Sequence, residues 1–175
     1  DTLSLHDALP IFNGQKDLLP VVGVAATPHI LIVNTNSKAK NVADLISMLR
    51  ADPGKMSFGS SGIGNSDHMA GELFLATTGL QAIHIPYKGG APAITDTLSG
   101  QTPMSFSAFG VALPHVKSGK LIALGTTGPA RAKLLPDVPT IEEAGNLKGY
   151  EMSIVYAVWA PSGVPAPILS KLSKT

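Results

Sequence analysis

Twice in succession this chain passes from a short extended stretch through a glycine-containing bend into a helical pattern. Few folds accommodate that repetition. The first unit is MSFGSSGIGNSDHMAGELF, residues 56–74. Met56, Ser57 and Phe58 form a brief extended run. The bend at 59–65 holds three glycines, which permit positive φ and close backbone approach. Ser66 reads as the N-cap of a helix whose apolar face is Met69, Ala70, Leu73 and Phe74. The second unit has residues 82–85 as its strand and PYKGG, residues 86–90, as its bend. Its helix opens with Ala91-Pro92 and closes at Gly100, with Ala91, Ile94 and Leu98 on one face.

The flanking segments continue the alternation. Residues 21–25 and 30–33 are two β-rich runs split by Pro28, and Asn41 caps a helix through Val42, Leu45, Ile46 and Leu49. Beyond the second unit come a strand at 104–107, a helix through Val111, His115 and Val116 that stops at Gly119, and a strand at 121–124. Thr140-Ile141-Glu142-Glu143 is a capping box ahead of a short helix ended by Gly145. Residues 154–160 read as a buried strand, and 166–172 as a helix. Strands alternating with helices imply an α/β layered fold with a largely parallel sheet. Ligands then sit outside the carboxyl ends of the strands, where the loops at 59–66, 86–90 and 107–110 converge.

A strand that ends in small residues and enters a helix N-terminus is suited to a small anion, because free N–H groups and the helix dipole point the same way. The same loop could also be a plain connection that binds nothing. The P-loop pattern is absent, the dinucleotide fingerprint lacks its third glycine at Asp67, and G-x-S-x-G fails at Ile63. A net charge of +1 with only 14% charged residues offers no surface for nucleic acid. No cysteine is present and the five histidines are scattered, so neither a metal site nor a cofactor is expected. The apolar stretch at 21–33 is interrupted and too short to span a bilayer, so no direct membrane insertion is expected.

Residues 1–11, DTLSLHDALPI, resemble the translated frame of a sequencing-adapter oligonucleotide. They are set aside from fold reasoning, and His6 and Asp7 receive no catalytic role. On this reading the native start is missing and a leader peptide has no place to be seen. The C-terminal helix, which simply runs out, also reads as cut.

SSGIGNSDHMAGELF (60–74), HIPYKGGAPAITDTLSGQ (84–101), ALPHVKSGKLIALGTTGPAR (112–131), LPDVPTIEEAG (135–145) and WAPSGVP (159–165) together resemble the solute receptors of tripartite tricarboxylate transporters, the Bug proteins. The resemblance implies a periplasmic, monomeric, two-lobed α/β binding protein of the Venus-flytrap kind, one lobe complete and the other partial. It implies residues 12–34 as partial first lobe and crossover, 35–125 as the complete second lobe, and 126–175 as the return into the first. It also implies capture of a small organic acid without catalysis, and delivery to membrane permease subunits. Carried over by position, the first bend offers Ser60, Ser61, Gly62, Asn65 and Ser66, with His68 one turn on. The second offers Tyr87, Lys88 and Gly89. Ser107 stands where many relatives have an aspartate for ligand amino groups, which favours a plain carboxylic acid. Asn65 and Val155 depart from the Ser or Thr and the aromatic expected at their positions.

Plainer roles compete with these. Ser66 serves as a cap, His68 as a loop tether, Tyr87 as a packed ring and Lys88 as a solvated cation. Two other functions fit parts of the sequence: a serine hydrolase using Ser60 or Ser61 with His68, and an α/β module that binds no small molecule.

Overall fold

A computed structural model describes residues 13, 14 and 16–174. The adapter-like stretch lies outside the described residues. The chain divides into a larger unit, Thr27–Ile154, and a smaller one made of the chain before residue 27 and after residue 154.

The larger unit is a sheet sandwiched between helices. In order it contains the second half of β1 (Leu18–Asn34), α1 (Val42–Ala51), β2 (Ser57–Ser60), α2 (Ser66–Thr78), β3 (Ile83–Pro86), α3 (Gly90–Ser99), β4 (Met104–Ala108), α4 (Phe109–Lys117), β5 (Leu121–Thr126) and α5 (Ile141–Gly145). The strand order is β3-β2-β4-β1-β5. β2 pairs in parallel with both β3 and β4, whereas β1 runs antiparallel to β4 and β5. The α/β layering is as expected, but the sheet is mixed rather than largely parallel, because β1 runs against both of its neighbours.

Ile30, Leu31, Ile32 and Val33 are all fully buried because this second half of β1 is covered on both faces, unlike the first half, where Val22 and Val24 are exposed. Leu31 and Val33 join Val42, Leu45, Phe58, Phe74, Ile141 and Tyr150 in one core. Ile30 and Ile32 join Ile94, Phe109 and Ala112 in the other. Tyr150 donates its hydroxyl to the Ala70 carbonyl at 2.9 Å within the first core. Gly71 allows α2 to lie on Phe58, since a Cβ there would meet the ring at 2.3 Å.

The two β-rich runs at 21–25 and 30–33 prove to be one strand. Pro28 does not interrupt it, and the next amide, that of His29, is satisfied by Thr127 Oγ1 at 2.8 Å. The larger unit is also wider than the 35–125 span, because 27–34 and 126–154 pack into it. Thr127, for example, bonds the main chain of both His29 and Met152.

In the smaller unit β1 pairs with β6 (Ser153–Pro161), and α6 (Ala166–Leu172) follows. β6 is not the buried strand that its apolar sequence suggested. Val155, Tyr156, Val158 and Trp159 stand exposed, and only Ala160 is buried. No helix among the described residues is long and apolar enough to cross a membrane.

Candidate functional site

Parallel pairing puts the C-terminal ends of β2, β3 and β4 at one edge of the sheet. The register sets Ser60 beside Pro86, so the bends that follow are neighbours. Two main-chain bonds join them: the Tyr87 amide donates to the Ser60 carbonyl at 3.0 Å, and the Gly89 amide to the Ser61 carbonyl at 3.1 Å. Gly59 permits this closeness, because a Cβ there would press on Ser105 Oγ at 2.8 Å and on the Tyr87 ring.

Most polar groups of the first bend are spent on the bend itself. Ser60 is fully buried. Its Oγ lies 2.6 Å from His84 Nε2 and also bonds both the amide and the carbonyl of Gly62. Asn65 Nδ2 donates to Ser61 Oγ at 3.2 Å. His68 Nδ1 accepts the Gly64 amide at 3.1 Å, a tether rather than a free ligand group.

Ser66 is not the cap. Asn65 is the N-cap and Ser66 is the first helical residue, with no side-chain capping bond. The helix start is served instead by Asp67, a buried carboxylate that accepts the Ser61 amide at 2.6 Å and the His68 amide at 2.9 Å. Asp67 therefore meets part of the positive end of α2 that the sequence had left for an anion. Among the described residues, the amides of Ser66 and Asp67 and the Ser66 hydroxyl make no bond.

The second bend is more open. Tyr87 turns its hydroxyl onto Asp96 Oδ2 at 2.8 Å and Thr102 Oγ1 at 2.7 Å, so the ring braces the bend against α3. Burial leads in pushing the Tyr87 hydroxyl above its ordinary pKa. The Thr102 bond acts in the opposite direction, and Asp96 adds to the rise. Gly89, at φ 114°, is the N-cap of α3 and provides no capping side chain, and the first turn of α3 carries no acid. The amides of Lys88, Gly90 and Ala91 have no partner among the described residues. The exposed Lys88 ammonium likewise forms no ion pair there. Ser107 is buried on β4, opposite Ile30 of β1.

Asp67, His84, Asp96 and Thr102 escaped the sequence reading. Each shapes a bend from outside it. The one available signal was that His84 lies two residues before the PYKGG segment and Asp96 within the helix that follows it. No group of three or more His, Asp or Glu side chains able to hold a metal occurs among the described residues.

A family model described as the tripartite tricarboxylate transporter family receptor matches residues 5–175. Protein BugT of Bordetella pertussis is 34% identical over 172 residues, which are 98% of this chain and 52% of that protein. Among solved structures, Rpa4515 of R. palustris with adipate superposes with a TM-score of 0.83 at 34% identity, covering 92% of this chain and 54% of that one. MatC from Rhodopseudomonas palustris with bound malate gives 0.81 at 25% identity, covering 93% and 55%. The chain thus spans about half the length of the relatives it matches, and its fold is that of periplasmic binding proteins.

Proposed function

The chain belongs to the tripartite tricarboxylate transporter receptor family, and on that premise we propose that it forms part of a periplasmic receptor for a small organic carboxylate. The family is one of solute receptors, not of enzymes. One observation carries the proposal. Two bends tied together at a single sheet edge carry amides without a partner among the described residues, at Ser66–Asp67 and at Lys88, Gly90 and Ala91, and a Lys88 ammonium without an ion pair there.

α3 is the better anion end of the two helices. Its N-terminus is uncapped and free of acids, whereas Asp67 already serves α2. One ligand carboxylate accepts from the Gly90 and Ala91 amides, with the Lys88 ammonium neutralising charge from the rim. Ser66 supplies a hydroxyl to the same guest. Ser60, Ser61, Gly62, Asn65, His68, Tyr87 and Gly89 hold the shape of the bends.

The buried Ser107 provides no negative charge for a ligand ammonium, which favours a plain acid over an amino acid. Adipate and malate, the ligands of the two superposed proteins, indicate a dicarboxylate class. The larger unit acts as one lobe, and the receptor works as a monomer that hands its ligand to permease subunits. Hydrolysis is disfavoured, because Ser60 is fully buried and faces His84 rather than His68.

Calorimetric titration with mono-, di- and tricarboxylates tests this reading. Saturable binding of a dicarboxylate, with the acid recovered unchanged, is expected. Turnover of a bound acid, or indifference to the whole panel, contradicts it.

A further inference from the structure

Three rings lie together beneath the first bend. Phe58 and His84 have centroids 4.9 Å apart and His84 and His68 4.0 Å apart, each pair stacked within 30° of parallel. The two imidazoles reach the bend at different points. His84 Nε2 meets Ser60 Oγ at its start, and His68 Nδ1 meets the Gly64 amide at its middle. We propose that His68 and His84 are positioning residues that clasp the first bend at two points, and that the clasp holds only while His68 Nδ1 is unprotonated. Its bearing on ligand affinity rests on the carboxylate reading above, whereas its bearing on bend geometry does not.

The chemistry follows from the donor inventory. An amide N–H can only donate, so the Nδ1 facing Gly64 must carry a lone pair. Neutral His68 therefore keeps its proton on Nε2, which points towards Glu72 Oε1 at 3.5 Å. A second proton places two donors face to face at Nδ1 and releases Gly64. It also sets a positive charge against the His84 ring.

The charged and titratable neighbours of the pair are Asp67 and Glu72, both on α2, while β2 contributes only Ser60 and Phe58. Burial, aided by the positive charge of a protonated His68, holds His84 below the ordinary histidine range, with Glu72 and Asp67 pulling the other way. The protonation that opens the clasp is the one at His68 Nδ1, the atom that faces the Gly64 amide. The bend then loses the tether at Gly64 while keeping Ser60 on His84.

The test uses the whole chain, isotopically labelled. Imidazole proton–nitrogen spectra from pH 8 to 5 report the tautomers, and hydrogen exchange reports protection of the Gly64 amide. His68 is expected as the Nε2–H tautomer at pH 8. Gly64 protection should fall about five- to tenfold on acidification, the effect of one hydrogen bond. H68A should lack that protection at every pH. H68Q, whose amide oxygen can accept without titrating, should restore it and remove the acid step. Adipate affinities of wild type and H68Q, compared at pH 7.5 and 5.5, cancel the ligand's own protonation, and wild type should lose several-fold more. If neither binds adipate, the carboxylate reading fails and Gly64 alone decides the clasp. A neutral-pH Nδ1–H tautomer, or Gly64 protection indifferent to pH and to both substitutions, overturns the proposal.

Discussion

The carboxylate of Asp67 accepts the main-chain amide of Ser61 at 2.6 Å, closing the first bend onto the helix that follows it. A buried acid here stabilises the bend while opposing any anion nearby.

The two effects separate in Asp67→Asn. Loss of the charge should weaken the fold by about 1–2 kcal/mol, through a poorer bond to Ser61 and a less favourable helix start. Adipate affinity should rise several-fold, because a like charge has left the site. Urea denaturation and calorimetry on the same preparation check both signs.

Tyr87→Phe removes a hydroxyl shared between Asp96 and Thr102. We expect a loss of about 1–2 kcal/mol, the cost of leaving two partly buried groups without their partner. Adipate binding should weaken as the second bend loosens. The urea midpoint should move with an unchanged slope.

Gly71→Ala should destabilise the chain despite alanine's better helix propensity. The added methyl meets the Phe58 ring at 2.3 Å, where neither partner is free to retreat. Overpacking of this kind costs about 1–3 kcal/mol against about 1 kcal/mol of propensity gain. A lowered thermal midpoint, together with altered His84 resonances from the displaced ring, checks it.

His29 predicts an acid-sensitive stability. Its buried ring nitrogens have no hydrogen-bond partner among the described residues, and burial lowers its pKa. Asp67 and the Ser107 main chain oppose that shift only in part, the latter without a bond of normal geometry. The unfolded chain takes up this proton below about pH 6.5 and the folded chain does not. Stability therefore falls as pH drops through that window, with a slope approaching about 1.4 kcal/mol per pH unit, and levels off below the folded-state value. His29→Leu should match wild type at pH 7.5 and exceed it at pH 5 in thermal melts across that range.

What could be read from the sequence was what local chemistry decides. Asn41 does cap α1, Thr140 and Glu143 do form a reciprocal capping box, and Gly100 does end α3 in the left-handed conformation. The neighbouring bends followed from the repeated strand-bend-helix order, because parallel strands leave their loops at one edge. What escaped depended on how the folded chain turns side chains onto partners that no local pattern names. Ser60 is occupied because β3 brings His84 against it. Asp67 stood out in the sequence only where a third fingerprint glycine was missing, yet one of its carboxylate oxygens turns back to the Ser61 amide. Residues 154–160 have the composition of a buried strand, but composition does not say what covers it, and four of its large side chains are exposed.

The central claim is that both bends receive one carboxylate guest. Amide spectra of the labelled chain, recorded while adipate is added, test it directly. The account predicts that Ser66, Lys88, Gly90 and Ala91 shift together along a single saturation curve, while Gly119, beyond the far end of α4, stays still. Shifts confined to one bend, or two curves with different midpoints, would contradict a shared guest.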